Sequence, residues 1–458
     1  MNILVYTTGA TREVGGGRRV TSELLHHMNA LGHQAVSWSA LPLDPARLNN
    51  GRYRYRAEHP AAGTDPADRQ ALARHFLTTT ERLAPDFLLF DTEYSLLEFF
   101  QWSEGLGVRE HLPLHGALVH DQLWKWDPAI LALASHAPDA RALAEACPLP
   151  GLCAHAVAGR RLFRRAFADR DGVRLLNDLA RLEPRPLELA PSTPERLDYC
   201  LAMKRAANDQ DRIFCLTPRS AREARAAYDL QPGNALCAAG GDSIHHAPQG
   251  LDVRARFGLG RERGLLCFSR MSREKNLELA LGAFALARRE RPALLRDVRV
   301  WVAGQCQPEH RDYRDEIHDA VRLLGLEDAV RFLGEVGHEE MRGLYDQADA
   351  FVCAQAADFN LTTLQALGAG LPVVLFNGYD FSGDDFSPGL EDCPLVFATA
   401  RTVADMARDM ILALDRRPTL APRHREALDA MTFEHYARAL LRALAVPDSN
   451  QEAAHALA

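Results

Sequence analysis

Ala354-Gln-Ala-Ala-Asp-Phe-Asn-Leu-Thr-Thr-Leu-Gln-Ala-Leu-Gly-Ala-Gly-Leu-Pro-Val-Val374 reads as a polar loop, a short helix, a glycine stop and a buried strand. The preceding Ala350-Phe-Val-Cys-Ala354 is an unbroken apolar run of the kind a parallel sheet buries on both faces, so the polar loop leaves a strand's carboxyl end. Leu361, Leu364 and Leu367 repeat at helical spacing, Gly368 and Gly370 stop the helix, and Pro372 opens the strand that runs to Phe376. The helix N-terminus is therefore predicted to face the crevice in which open α/β sheets bind ligands. Amides from Asn360 to Thr363 at the positive helix end suit a phosphate or a hydroxyl-rich sugar. Asp358, Asn360, Thr362, Thr363 and Gln365 add polar side chains. Taken alone, these residues fit equally well a helix capped by Asp358 or Asn360 inside any α/β protein.

Working outward, the chain has 458 residues, more than one hydrophobic core usually supports, which predicts two domains. Hydrophobic residues make up 47% and charged residues 25%, ordinary values for globular protein, and the net charge of -8 argues against nonspecific nucleic-acid binding. Met1-Asn-Ile-Leu-Val-Tyr6 is too short for a signal sequence and reads as a first buried strand. With no long apolar run, the expectation is a soluble cytoplasmic protein, with peripheral membrane contact through a basic patch left open. Nine cysteines are scattered without a Cys-x-x-Cys pair; Cys215, Cys267 and Cys353 sit inside apolar runs and read as reduced core residues, not zinc ligands.

The first strand runs into a loop containing Gly15-Gly16-Gly17 and Arg18-Arg19, then a predicted helix over 20–31. Consecutive glycines let backbone approach a ligand closely, although a merely flexible turn explains them as well; the spacing is not the dinucleotide fingerprint. Strands at 34–38 and 86–90 follow, with a helix near 68–82 between them. Ala117-Leu-Val-His120-Asp121 then places a histidine and an aspartate at the end of another apolar run. His120 is the leading candidate in this half for contact with a reacting sugar; the plain alternative is a histidine that only hydrogen-bonds Asp121 or a carbonyl. Residues 129–209 read as a helical layer interrupted by prolines. A strand at 212–216 restores the alternation, and Gly240 to Gly250 reads as a linker.

Beyond the linker, strands are predicted at 264–269, 298–303, 329–333, 350–354, 372–376 and 395–398, most of them separated by helical segments, which is the pattern of a parallel Rossmann-like sheet. Arg270-Met-Ser-Arg-Glu-Lys275 follows the first of these strands, and Arg270 with Lys275 at a strand-to-helix loop can together neutralise a diphosphate. A solvated charge pair is the alternative.

This loop combines with Val302-Ala303-Gly304, Phe332-Leu333-Gly334, Tyr345-Asp-Gln-Ala-Asp349 and Gly370-Leu-Pro-Val-Val374 to resemble the retaining GT-B glycosyltransferases of family 4. The glycine loop, His120-Asp121, Gly240-Gly241-Asp242 and Met431-Thr-Phe-Glu-His-Tyr436 extend the resemblance to the amino-terminal half and the last helix. The resemblance implies an α/β, GT-B architecture in which two Rossmann-like domains face each other across a cleft. The first would span 1–245, with a divergent helical region near 129–209 and completion by a helix over 436–458. The donor domain would span 246–435.

Carried over by position, the resemblance implies that His120, Arg270 and Lys275 serve catalysis. Gly15, Gly16, Gly17, Phe332, Leu333, Gly334, Asp358, Phe359, Asn360, Leu361, Thr362, Thr363 and Gln365 would line the donor site. The implied donor is a nucleoside diphosphate sugar, with an unidentified acceptor, retained anomeric configuration and neither a metal nor another cofactor. The family's paired glutamates are replaced by Ala357 and Gln365. An amide at Gln365 can still bond ribose hydroxyls without the charge-assisted component, whereas Ala357 removes a sugar contact. Two alternatives follow: a GT-B phosphorylase using sugar 1-phosphate, and a noncatalytic sugar or nucleotide-binding protein.

Overall fold

The structure, a computed structural model, describes residues 1–7, 16–40, 55–61, 64–65, 67–119, 166, 168–181, 202, 205–215, 221, 224–225, 230, 235–237, 251–272, 275–354, 361–376, 389–390, 392–400, 402–416 and 418–445. Two compact units emerge, one comprising Met1–Leu149, Ser192–Gly241 and Met431–Ala458, the other Pro150–Pro191 and Asp242–Ala430.

The first unit holds a seven-stranded sheet. Its strands are β1 (Asn2–Thr7), β2 (Gln34–Ser39), β3 (Arg56–Glu58), β4 (Phe87–Phe90), β5 (Leu114–Val119), β6 (Arg212–Cys215) and β7 (Ala235–Cys237). They lie in the order β3-β2-β1-β4-β5-β6-β7, all parallel. The second unit holds β8 (Arg263–Phe268), β9 (Val298–Ala303), β10 (Val330–Gly334), β11 (Ala350–Cys353), β12 (Val373–Phe376) and β13 (Val396–Ala400), ordered β10-β9-β8-β11-β12-β13 and again parallel. Each order reverses beside the unit's first strand, the switch point at which doubly wound sheets open a ligand crevice. The expected α/β fold with two Rossmann-like sheets is what forms.

Continuous apolar strands require both sheet faces to be covered. In the second unit the helices Leu277–Glu290 and Val403–Arg416 supply much of that cover, bringing Leu281, Phe284, Met406 and Met410 into one core with Val300 and Val352. Gly264 in β8 leaves room for the indole of Trp301, which a Cβ there would meet at 2.5 Å. The amino ends of β8 and β11 are tied by Asp349: its carboxylate accepts from Gly264 N at 2.9 Å and from Arg263 Nε at 3.1 Å.

The helical stretch predicted near 129–209 does not all join the first unit. Its helix Gly172–Ala180 turns Leu175 and Leu179 into the second unit's core, and Arg289 Nη1 donates to Asn177 Oδ1 at 2.9 Å. Gly172 permits this docking, since a Cβ would fall 2.0 Å from the Leu323 carbonyl oxygen. The helix Phe433–Ala445 groups with the first unit, where it packs on the helix Gly16–Ala30 and buries Phe433, Tyr436, Ala437 and Leu440. That helix begins at Gly16, inside the triple glycine, earlier than the position 20 predicted.

β3, where no strand is predicted, is a three-residue strand at the end of the sheet order whose Glu58 accepts from Arg56 at 2.6 Å and pairs with Arg82 at 2.9 Å. Burial pushes Cys267 up to about 12, in keeping with a core residue.

In β1, Tyr6 anchors an aromatic cluster with Trp38, Phe90 and Phe99 at centroid distances of 5.1, 5.7 and 5.5 Å. Its hydroxyl accepts from Trp102 Nε1 at 2.8 Å and donates to Glu98 Oε1 at 2.9 Å. Next to it, at the carboxyl end of β4, Asp91 is 6% exposed and accepts from Thr21 Oγ1 of the helix Gly16–Ala30 at 2.9 Å. Burial is the main cause that raises its pKa from 3.8 to about 6, against the hydroxyls of Thr21, Ser95 and Thr92, which lower it. Because the folded value lies above the unfolded one, the folded state holds the extra proton between these values, and stability falls as pH rises through that window. The full effect is roughly 3 kcal/mol by neutral pH. Asp91→Asn is expected to flatten the stability loss between pH 4.5 and 7.5, read as the change in urea midpoint; an unchanged profile would place the titration elsewhere.

Candidate functional site

The second unit's switch point lies between β8 and β11, and the charged loop leaves β8 at this place. Ser269 N donates to Ala303 O at 3.1 Å and Met271 N to Gln305 O at 2.9 Å, which extends the pairing with β9 beyond the strand. Met271 and Ser272 are buried, and Lys275 N closes a turn onto Ser272 O at 3.0 Å. Asn276 follows in a left-handed conformation, φ 49°, with its Nδ2 directed to Ala354 O at 3.4 Å. The loops after β8 and β11 are thereby joined across the switch point. Arg270 is exposed and Lys275 half-buried at this rim.

The carboxyl ends of β9 and β10 meet the same loop. Gly304, φ 137°, passes so close to it that a Cβ would stand 1.9 Å from Ser269 O, and its N–H donates to Gly334 O at 2.8 Å. Gly334 also has a positive φ of 72°. Phe332 is half-buried with its ring 4.2 Å from that of His318, so the main chain of Phe332, Leu333 and Gly334 forms this part of the rim while the Phe332 ring packs inward.

From β11 the chain returns as the helix Leu361–Gly368, one residue longer than predicted. Leu364 and Leu367 bury its apolar stripe, and Thr363 and Gln365 are each 1% exposed. Leu371 N bonds Ala366 O at 2.9 Å, Gly370 adopts φ 82°, and Arg425 Nη1 donates to Gly368 O at 2.7 Å. A cation thus completes the negative helix end, leaving the positive end at the crevice edge. Tyr345, 1% exposed, places its hydroxyl oxygen 3.2 Å from both Thr362 O and Gln365 Oε1.

The fold therefore gathers Arg270, Lys275, Phe332, Leu333, Gly334, Leu361, Thr362, Thr363 and Gln365 on one edge of the second sheet. Gly16 and Gly17 open the first unit's helix behind β1. Gly15, His120, Asp358, Phe359 and Asn360 lie outside the described residues. Two residues escaped the sequence reading. Asp91 follows an apolar strand just as His120 does, a placement that could have singled it out. Tyr345 was legible only as part of a motif, since nothing in the sequence says where its hydroxyl ends.

Residues 262–415 match the family model described as glycosyl transferases group 1. The lipopolysaccharide core biosynthesis mannosyltransferase LpsB of Rhizobium meliloti is 29% identical over 225 residues, 47% of this chain and 60% of LpsB. Mannosylfructose-phosphate synthase of Agrobacterium fabrum is 30% identical over 149 residues, 29% of this chain and 32% of that enzyme. The chain thus spans between about a third and three fifths of the length of these curated relatives. Among solved structures, sucrose-phosphate synthase from Thermosynechococcus elongatus aligns over 96% of this chain and 98% of its own, with a TM-score of 0.63 at 15% identity. Anabaena HepE in complex with UDP and glucose aligns over 98% and 100%, with a TM-score of 0.63 at 15% identity. Residues 262–415 are thus similar to the glycosyl transferases group 1, and the two-sheet α/β fold is that of these solved structures.

Proposed function

We propose that the protein is a retaining glycosyltransferase that moves a sugar from a nucleoside diphosphate sugar to an acceptor hydroxyl or other nucleophile without a metal. The observation that supports this reading is that the loop carrying Arg270 and Lys275 and the helix Leu361–Gly368 follow the two strands, β8 and β11, that flank the switch point. Such a rim suits a diphosphate, and HepE, of the same fold, has been solved with UDP and with UDP-glucose.

In the transition state the anomeric carbon gains positive charge and the departing diphosphate gains negative charge. Arg270, Lys275 and the amides from Asn360 to Thr362 would stabilise the leaving group, as preorganised donors do wherever charge develops. The departing phosphate oxygen would take the acceptor's proton on the face it leaves, which accounts for retention without the paired carboxylates of a glycosidase. Gly15, Gly16 and Gly17 would approach the same diphosphate, His120 the sugar, and the main chain of Phe332, Leu333 and Gly334 the base. Asp358 and Phe359 would border the sugar, and Leu361, Thr363 and Gln365 would support the nucleotide side of the site.

A phosphorylase reading draws on Gln365, because a site without the ribose-facing glutamate has less need of a nucleotide. Thermal-shift and ligand-detected NMR titrations with uridine, guanosine, adenosine and thymidine diphosphates, and with sugar 1-phosphates, separate the two. Selective binding of one nucleoside diphosphate that is lost in Lys275→Ala is expected; binding of sugar 1-phosphate alone would move the phosphorylase to first place. Once an acceptor is in hand, Lys275→Ala and Arg270→Ala should each lower turnover about a hundredfold or more. Near wild-type rates in both would remove these residues from the mechanism.

A further inference from the structure

We propose that Tyr313 is a positioning residue: its hydroxyl caps the helix that begins just after Lys275 and so holds that lysine at the switch point of the second sheet. The inference deepens the donor-site reading and rests on it for the identity of the ligand. It starts from a missing cap. An asparagine at the N-cap usually turns its side-chain oxygen onto an amide of the first helical turn. Asn276 occupies that position before the helix Leu277–Glu290, yet its side chain makes no such bond. It adopts a left-handed conformation, and its Nδ2 donates instead to Ala354 O, just beyond β11. The side chain suited to closing the helix is used to join two loops.

The cap comes from another helix. Tyr313, in the helix Arg311–Leu323, accepts from Leu277 N at 3.0 Å and donates its proton to the carboxylate of Glu278. One hydroxyl thus serves two consecutive residues of the first turn, as acceptor for one and donor to the other, which is within its capacity. Tyr313, Asn276, Leu277 and Glu278 are all buried, so a Leu277 amide deprived of the phenol would lie away from bulk water. Glu278 also places an acidic group at the positive end of the helix. On the other side, Met271 N is held by Gln305 O at 2.9 Å. The loop that carries Lys275 is therefore fixed at Met271 before it and at Asn276 and Leu277 after it, and the second hold depends on Tyr313. A role in stability alone is the plain alternative, and the two differ in what they predict for Lys275.

Two measurements on the full chain test this. Tyr313→Phe keeps the ring and removes the hydroxyl, while Ile317→Val, one turn along the same helix, trims the buried core and leaves the hydroxyl in place. Amide hydrogen exchange reads the hold on the loop without any ligand. Tyr313→Phe is expected to speed exchange at Lys275 about fivefold more than at Val300 in β9, the scale of one net hydrogen bond, whereas Ile317→Val should change both alike. An equal change at Lys275 and Val300 in Tyr313→Phe would overturn the inference and leave the phenol a stabilising role. The second measurement is the affinity for the tightest binder among uridine, guanosine, adenosine and thymidine diphosphates, divided by that for its monophosphate. Lys275 is placed to act on the diphosphate, so the ratio should fall about three- to tenfold in Tyr313→Phe and hold in Ile317→Val. A ratio that holds in Tyr313→Phe as well would overturn the inference. Should wild type bind none of the four diphosphates, the donor-site reading is what fails, and the exchange result alone decides for or against the hydroxyl's hold on Lys275.

Discussion

Every strand in both sheets runs parallel to its neighbours. A parallel sheet sends all its carboxyl ends to one edge, and each return must cross a face, so the loops there diverge only where the strand order reverses. In the second unit that divergence is pinned at both ends of the strands. Asp349 gathers Arg263 and Gly264 at the amino ends, and Asn276 reaches Ala354 at the carboxyl ends. The crevice is an outcome of chain direction; the polar pins fix its width.

The second unit was the more legible because its strands are buried on both faces and so appear as unbroken apolar runs. β9 falls at the boundaries predicted, and β11 and the helix Leu361–Gly368 differ from prediction by one residue. Shorter elements carried no such signal. β3 and β7 have three residues each, and β3 is Arg56-Ala-Glu58, with no apolar run to read. Gly16 and Gly17 were read as loop because glycine favours turns, yet they occupy a helix's first turn, where fewer main-chain bonds are lost. The helix Gly172–Ala180 was recognisable as helix, while its partner was not: amphipathic spacing shows which face is buried, not against what.

At the site, chemistry carried by one residue at a time is visible in the sequence, and chemistry made by two residues together is not. Arg270 and Lys275 announce a charge whatever surrounds them. Gln365 is defined by Tyr345, twenty positions before it, and Asp91 by Thr21, seventy positions before it. The sequence motif Val302-Ala303-Gly304 likewise gave no hint that its glycine is required by a carbonyl from the loop after β8, 1.9 Å from where a Cβ would sit. Contacts of this kind tie residues whose substitution must be considered jointly.

β3 also bears on how the protein behaves among copies of itself. An edge strand exposes unpaired main-chain groups that can template another chain, and long, flat, apolar edges are the hazardous ones. β3 is three residues long, and its charged side chains are held by one another and by Arg82. A second molecule pairing there would gain few main-chain bonds and would have to desolvate this ion-pair group. Among the described residues, the first sheet thus ends on this side in a border that discourages edge-to-edge aggregation at high concentration.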